Sequence, residues 1–84
     1  METALPVTEI DGRGIPEREL LLRLRELLAG RAEQETALAV LVGDGSTARR
    51  VASFCTMSHL PATVSRADGN WLVAARGTPC RCFT

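Results

Sequence analysis

The sequence predicts a two-layer α/β (α+β) sandwich of order β-α-β-α-β-β, with a four-stranded mixed sheet and two helices packed on one face. Leucines recur at helical spacing through residues 20–28, an unbroken apolar run covers Ala37–Val42, and Asp68-Gly69 separates two short segments of strand character. Strands alternating with helices and closing in a hairpin are the pattern of helices layered on a sheet.

Each element has its own signal. Thr8–Gly12 is short and partly alternating, with Ile10 as its apolar member, and reads as a first strand. Gly12 and Gly14 flank Arg13 and mark a turn. Pro16 suits the first turn of a helix, where its missing N–H is no loss. Leu20, Leu24, Leu27 and Leu28, widened by Leu21, form one apolar stripe. Glu17 and Glu19 complement the helix dipole, Glu19 and Arg23 form an i,i+4 pair, and Gly30 is a natural stop. The run ALAVLV at Ala37–Val42 reads as a strand buried on both faces or nearly so. Gly43-Asp44-Gly45 is a turn, and Ser46 or Thr47 can cap a second helix. Val51, Phe54, Cys55 and Ser58 give that helix a narrow buried face, and Pro61 ends it. Ala62–Ser65 and Asn70–Ala75 are then strands joined at Asp68-Gly69, a strong hairpin signal.

The 84 residues make one domain, with a core at about 8–76 and a Cys-containing tail over 77–84 that is expected to be mobile. Hydrophobic residues are 45% of the chain, enough for a core without staples. Ten basic and ten acidic residues balance to zero net charge, and every basic residue is Arg. That balance, with one Trp, two Phe and no Tyr, argues against a nucleic-acid binder, which would show basic excess and rings for stacking. The opening METALPVTEI lacks the basic and apolar regions of a signal peptide, and no run reaches the roughly 20 apolar residues of a membrane span. A soluble, cytoplasmic protein is expected, a monomer or weak dimer. Its three cysteines are odd in number and make no secreted disulfide framework.

Three stretches together resemble the TusA/SirA-like sulfur-carrier family. Asp11-Gly12-Arg13-Gly14 is similar to the family's D-x-R-G at the end of its first strand. Leu21–Gly30 looks like its first helix. Asp44, Arg49, Phe54-Cys55 and Asp68-Gly69-Asn70-Trp71 are similar to its acidic turn, second helix and closing hairpin. The resemblance covers about residues 8–76 and implies the same β-α-β-α-β-β fold. It also implies a bacterial protein of a sulfur relay, at most a sulfurtransferase or sulfur carrier without a conventional active site. Its partners would be proteins: a desulfurase, a rhodanese or a sulfur acceptor. The family's C-P-x-P motif falls on Glu17-Arg18-Glu19-Leu20, so Glu17 stands at the position of the sulfur-carrying cysteine.

A helix N-terminus lowers a thiol's pKa and so favours a persulfide carrier. Glu17 occupies that environment but cannot hold sulfur, which leaves open the alternative of a non-catalytic binding or regulatory domain that has lost sulfur-carrier activity. Glu17 itself reads either as a fixed charge mimicking a thiolate or as an ordinary acidic residue of a first helical turn. Asp11, Arg13, Glu17 and Arg18 form the candidate partner surface, and Asp11 with Arg13 equally reads as a local ion pair shaping the corner. Cys55 on an apolar helix face reads as core. His59 reads as a residue of the helix C-terminus facing the dipole. Cys80 and Cys82, flanking Arg81, are the candidates for surviving sulfur carriage, but they read equally as incidental cysteines of an unstructured terminus or as the halves of a strained disulfide; two thiolates alone do not complete a zinc site. No triad order, P-loop or dinucleotide fingerprint occurs, and neither a cofactor nor a metal is expected.

Overall fold

The computed structural model describes residues 6–79. Its elements are β1 (Val7–Asp11), α1 (Glu17–Ala29), β2 (Thr36–Val42), α2 (Gly45–Met57), β3 (Ala62–Ala67) and β4 (Asn70–Gly77). The sheet order is β1-β2-β4-β3. β1 and β2 are parallel, and the other two pairings are antiparallel. This is the expected mixed sheet in the expected order.

Residue parity explains the layering. Leu38, Val40 and Val42 of β2 and Val73 and Ala75 of β4 are buried, as are Leu20, Leu24 and Leu28 of α1 and Ala48, Val51 and Cys55 of α2. These positions join one core cluster. They alternate along the strands, so both helices lie on one face. The other face carries Ala37, Ala39, Leu41, Leu72 and Ala74, paired across β2 and β4. β2 is therefore covered by helices on one side only. The unbroken run arises because small and medium apolar residues line the second side in its centre.

Boundaries shift where backbone hydrogen bonding outlasts the apolar pattern. β3 reaches Ala67 and β4 reaches Gly77, both beyond the expected ends. Asp68 (φ 49°) and Gly69 (φ 82°) supply the two left-handed residues of a tight hairpin turn. α2 is capped by Asp44, whose carboxylate accepts the Thr47 N–H at 3.0 Å, and not by Ser46 or Thr47. Gly30 ends α1 in right-handed geometry (φ −72°), so this stop uses none of glycine's left-handed freedom. The left-handed residue of that loop is Glu33 (φ 66°), whose N–H donates to Pro79 O at 2.8 Å. Pro79 is fully buried, so the fold extends to it. Cys80 and Cys82 lie outside the described residues.

Candidate functional site

Because β1 and β2 run parallel and each is followed by a helix returning over the sheet, α1 and α2 begin at the same end of the sandwich. That end gathers Asp11, Arg13, Glu17 and Arg18, together with Asp44, Thr47 and Arg50.

Gly12 makes the corner possible. Its N–H donates to Leu41 O at 2.7 Å, extending the parallel ladder by one bond. A Cβ there would lie 2.9 Å from Leu20 Cδ2 and 3.1 Å from Leu41 O, so only glycine lets α1 approach the strand so closely. The chain then turns through Gly14 (φ 81°) into Pro16, whose carbonyl accepts the Leu20 N–H at 2.9 Å. Pro16 has no side-chain cap to offer the first turn.

Asp11 and Arg13 form a local pair. The Arg13 side chain donates through Nε at 2.9 Å and Nη2 at 2.8 Å, and its N–H reaches Asp11 Oδ1 at 3.1 Å. These bonds hold the Asp11 carboxyl down from 3.8 to about 2. Both side chains are exposed, so the pair shapes the turn while leaving its outer surface open to a partner.

Glu17 is tied to the second helix. Arg50 Nε lies 3.3 Å from its Oε2, and the Thr47 hydroxyl lies 3.4 Å from its Oε1. Thr47 has one hydroxyl proton, and the Asp44 carboxylate is nearer at 3.2 Å. Asp44, with the Thr47 N–H and the Ser46 and Thr47 hydroxyls around it, is also held below its ordinary pKa. The lasting partner of Glu17 is therefore Arg50. Its side chain is one-third exposed, while Arg18 beside it is exposed.

The structure thus brings together Asp11, Arg13, Glu17 and Arg18 at the start of α1, and adds Arg50 and the hydroxyl of Thr47. Arg50 escapes sequence reading because its partner is 33 positions away and meets it only when the helices lie side by side. Trp71 sits at the same end. A Cβ on Gly45 would fall 3.1 Å from its ring, and the Arg66 guanidinium stands 4.8 Å from the ring centroid.

Cys55 is fully buried, and desolvation raises its thiol from 9.0 to about 11, so it is a core residue and a poor nucleophile. His59 follows α2 in left-handed geometry (φ 70°) and acts through its backbone there. Among the described residues, no three His, Cys, Asp or Glu side chains cluster as metal ligands. No helix among them is long and apolar enough to cross a membrane. On the open face, Glu9, Asp11, Ala39, Leu41 and Leu72 line a shallow concavity.

In comparison with known proteins, the chain matches no family model, no curated protein and no solved structure.

Proposed function

We propose that this protein is a docking module of a sulfur-relay system, a divergent TusA/SirA-like domain that binds a persulfide-handling protein without carrying sulfur at its helix start. The supporting observation is Glu17: the residue at the family's cysteine position is held by Arg50 of the second helix. A carboxylate engaged in that way is a poor mimic of a free thiolate, which favours an adaptor over a charge mimic. The surface for the partner is the exposed ring of Asp11, Arg13 and Arg18 around it. The only described cysteine is buried and kept protonated, which agrees with a binding role.

The test is titration with a cysteine desulfurase or a rhodanese-type donor, followed through the emission of the single Trp71. Binding weakened by Arg13→Glu with Arg18→Glu supports the reading. Absence of binding, or binding indifferent to that double change, overturns it.

A second reading places sulfur on Cys80 or Cys82. Pro79 is pinned to Glu33, just past the end of α1, whereas Glu17 begins that helix. The 13 residues of α1 set those points about 20 Å apart. Mass spectrometry of the C-terminal peptide after incubation with a persulfide donor distinguishes the two; an unmodified peptide removes the tail reading and leaves the docking reading standing.

A further inference from the structure

The two ends of the sheet order leave two free strand edges among the described residues, β1 and β3. Their backbones can be assigned. Arg76 N–H donates to Pro61 O, and β3 pairs with β4 so that Thr63 faces Ala74, Ser65 faces Leu72 and Ala67 faces Asn70. Hydrogen-bonded pairs alternate along an antiparallel ladder. Pro61, Thr63, Ser65 and Ala67 therefore point their backbone groups at β4, and Ala62, Val64 and Arg66 point theirs outward. On β1, Gly12 N–H reaches Leu41 O, so Thr8 and Ile10 face β2, and Val7, Glu9 and Asp11 point outward.

We propose that β3 is a self-pairing edge: two copies join antiparallel about a two-fold axis through Val64, forming one continuous eight-stranded sheet. Val64 then exchanges both backbone bonds with Val64 of the second copy, and Ala62 bonds Arg66 at either end. Thr63 falls opposite Ser65, a hydroxyl pair compatible with cross-strand contact. No like charges meet. On β1 the corresponding axis, through the central outward residue, sets Glu9 against Glu9. The central register of β3 thus carries no like-charge contact, whereas that of β1 does.

The helix layer permits the same arrangement. α2 packs across both β3 and β4. With strands about 4.8 Å apart, the two α2 axes come to lie about 10 Å apart across the seam, at the upper end of normal helix packing. Thr47 and Arg50 face α1, while Ala48, Val51 and Cys55 face the sheet. Helical spacing then leaves Arg49, Ala52 and Thr56 on the flank toward β3. The middle of that flank is Ala52, small enough for close approach. Ala52 and Val64 are both half-buried in one chain and would be covered by the second.

The test is sedimentation equilibrium of the full chain from micromolar to millimolar concentration. The expected result is a reversible dimer. Thr63→Glu with Ser65→Glu places carboxylates opposite each other and weakens association about tenfold. Thr63→Glu with Ser65→Lys restores it. Both positions are exposed. Amide exchange of the wild type supplies a check that needs no variant: the N–H groups of Val64 and Arg66 slow as concentration rises. A wild-type chain that stays monomeric, a dimer indifferent to the two charge patterns, or exchange at β3 independent of concentration overturns the proposal.

Discussion

Glu17 shows how one side chain's neighbours decide what a substitution would do. It lies in the first turn of α1, where the exposed N–H groups have no side-chain cap, and Arg50 stands 3.3 Å from its carboxylate. Glu17→Cys would put a thiol into two fields that both favour the thiolate. In a background with Cys80→Ser and Cys82→Ser, its alkylation rate against pH should show a midpoint below about 8.5, the free thiol value. Adding Arg50→Ala should move that midpoint up. In the native chain, Arg50→Ala alone removes a pair whose Arg side is largely exposed, and urea denaturation should register less than about 1 kcal/mol. Asp11 makes a sharper pH prediction. Its folded pKa is depressed to about 2 from 3.8. Its contribution is therefore complete above the unfolded value and is lost as pH falls from about 3.8 through about 2. An NMR titration should place the Asp11 midpoint near 2. Arg13→Ala, which removes the first and largest cause, should return it toward 3.8.

At the scale of elements, the end of α2 is a Schellman turn made without glycine. His59 N–H donates to Thr56 O at 3.1 Å, and Leu60 N–H donates to Cys55 O at 2.8 Å. Leu60 and Cys55 are both fully buried, which supplies the apolar contact that accompanies the motif. The left-handed residue is His59 (φ 70°), a conformation that strains an L side chain. His59→Gly relieves the strain but raises the entropy of the unfolded chain, which offsets part of the gain, so it should stabilise by roughly 0.5–1 kcal/mol in urea denaturation with an unchanged slope. Gly77 presses on the same turn: a Cβ there would lie 2.1 Å from His59 O and 2.9 Å from Leu60 Cα. Those are backbone atoms, so Gly77→Ala should cost at least about 2 kcal/mol, toward the upper end of overpacking. Elements whose signals are local were legible in the sequence. The leucine stripe of α1, the Glu19–Arg23 pair and the Asp68-Gly69 hairpin all depend on residues within a turn or two of each other. The α2 cap was not resolved, because Asp44, Ser46 and Thr47 are all capping residues and the choice depends on where β2 ends. Gly30 does end α1, but in right-handed geometry: glycine permits the left-handed stop without enforcing it, and here the left-handed residue is Glu33.

At the scale of the whole molecule, the sequence placed the fold but could not place the contacts between its layers. Glu17 with Arg50, Gly45 under Trp71 and Pro79 against Glu33 exist only once parallel strands bring both helix starts to one end and β4 returns to the other. That same assembly rests on a thin core, since the molecule measures only 17 Å across its shortest axis. An 84-residue domain has a stability of roughly 4–13 kcal/mol. Leu24 is fully buried in the middle of α1, and Leu24→Ala should cost about 2–5 kcal/mol, much of the total. A loss of about 3 kcal/mol lowers the Tm of a domain this size by roughly 12–24 °C. Cys55 supplies an independent reading of the same event. It is fully buried and reacts only when the core opens. With Cys80→Ser and Cys82→Ser removing the other thiols, its labelling rate tracks the population of open molecules. Leu24→Ala should raise that rate about 150-fold if the loss is about 3 kcal/mol. The labelling should also carry a pH signature. The folded thiol is raised to about 11 from 9.0, so stability due to its burial as the neutral form is complete below about 9 and falls as pH rises toward 11. Cys55→Ala should flatten that alkaline decline in thermal melts. If Leu24→Ala leaves both the Tm and the labelling rate near wild-type values, the two helices do not share the single core from which every placement above follows.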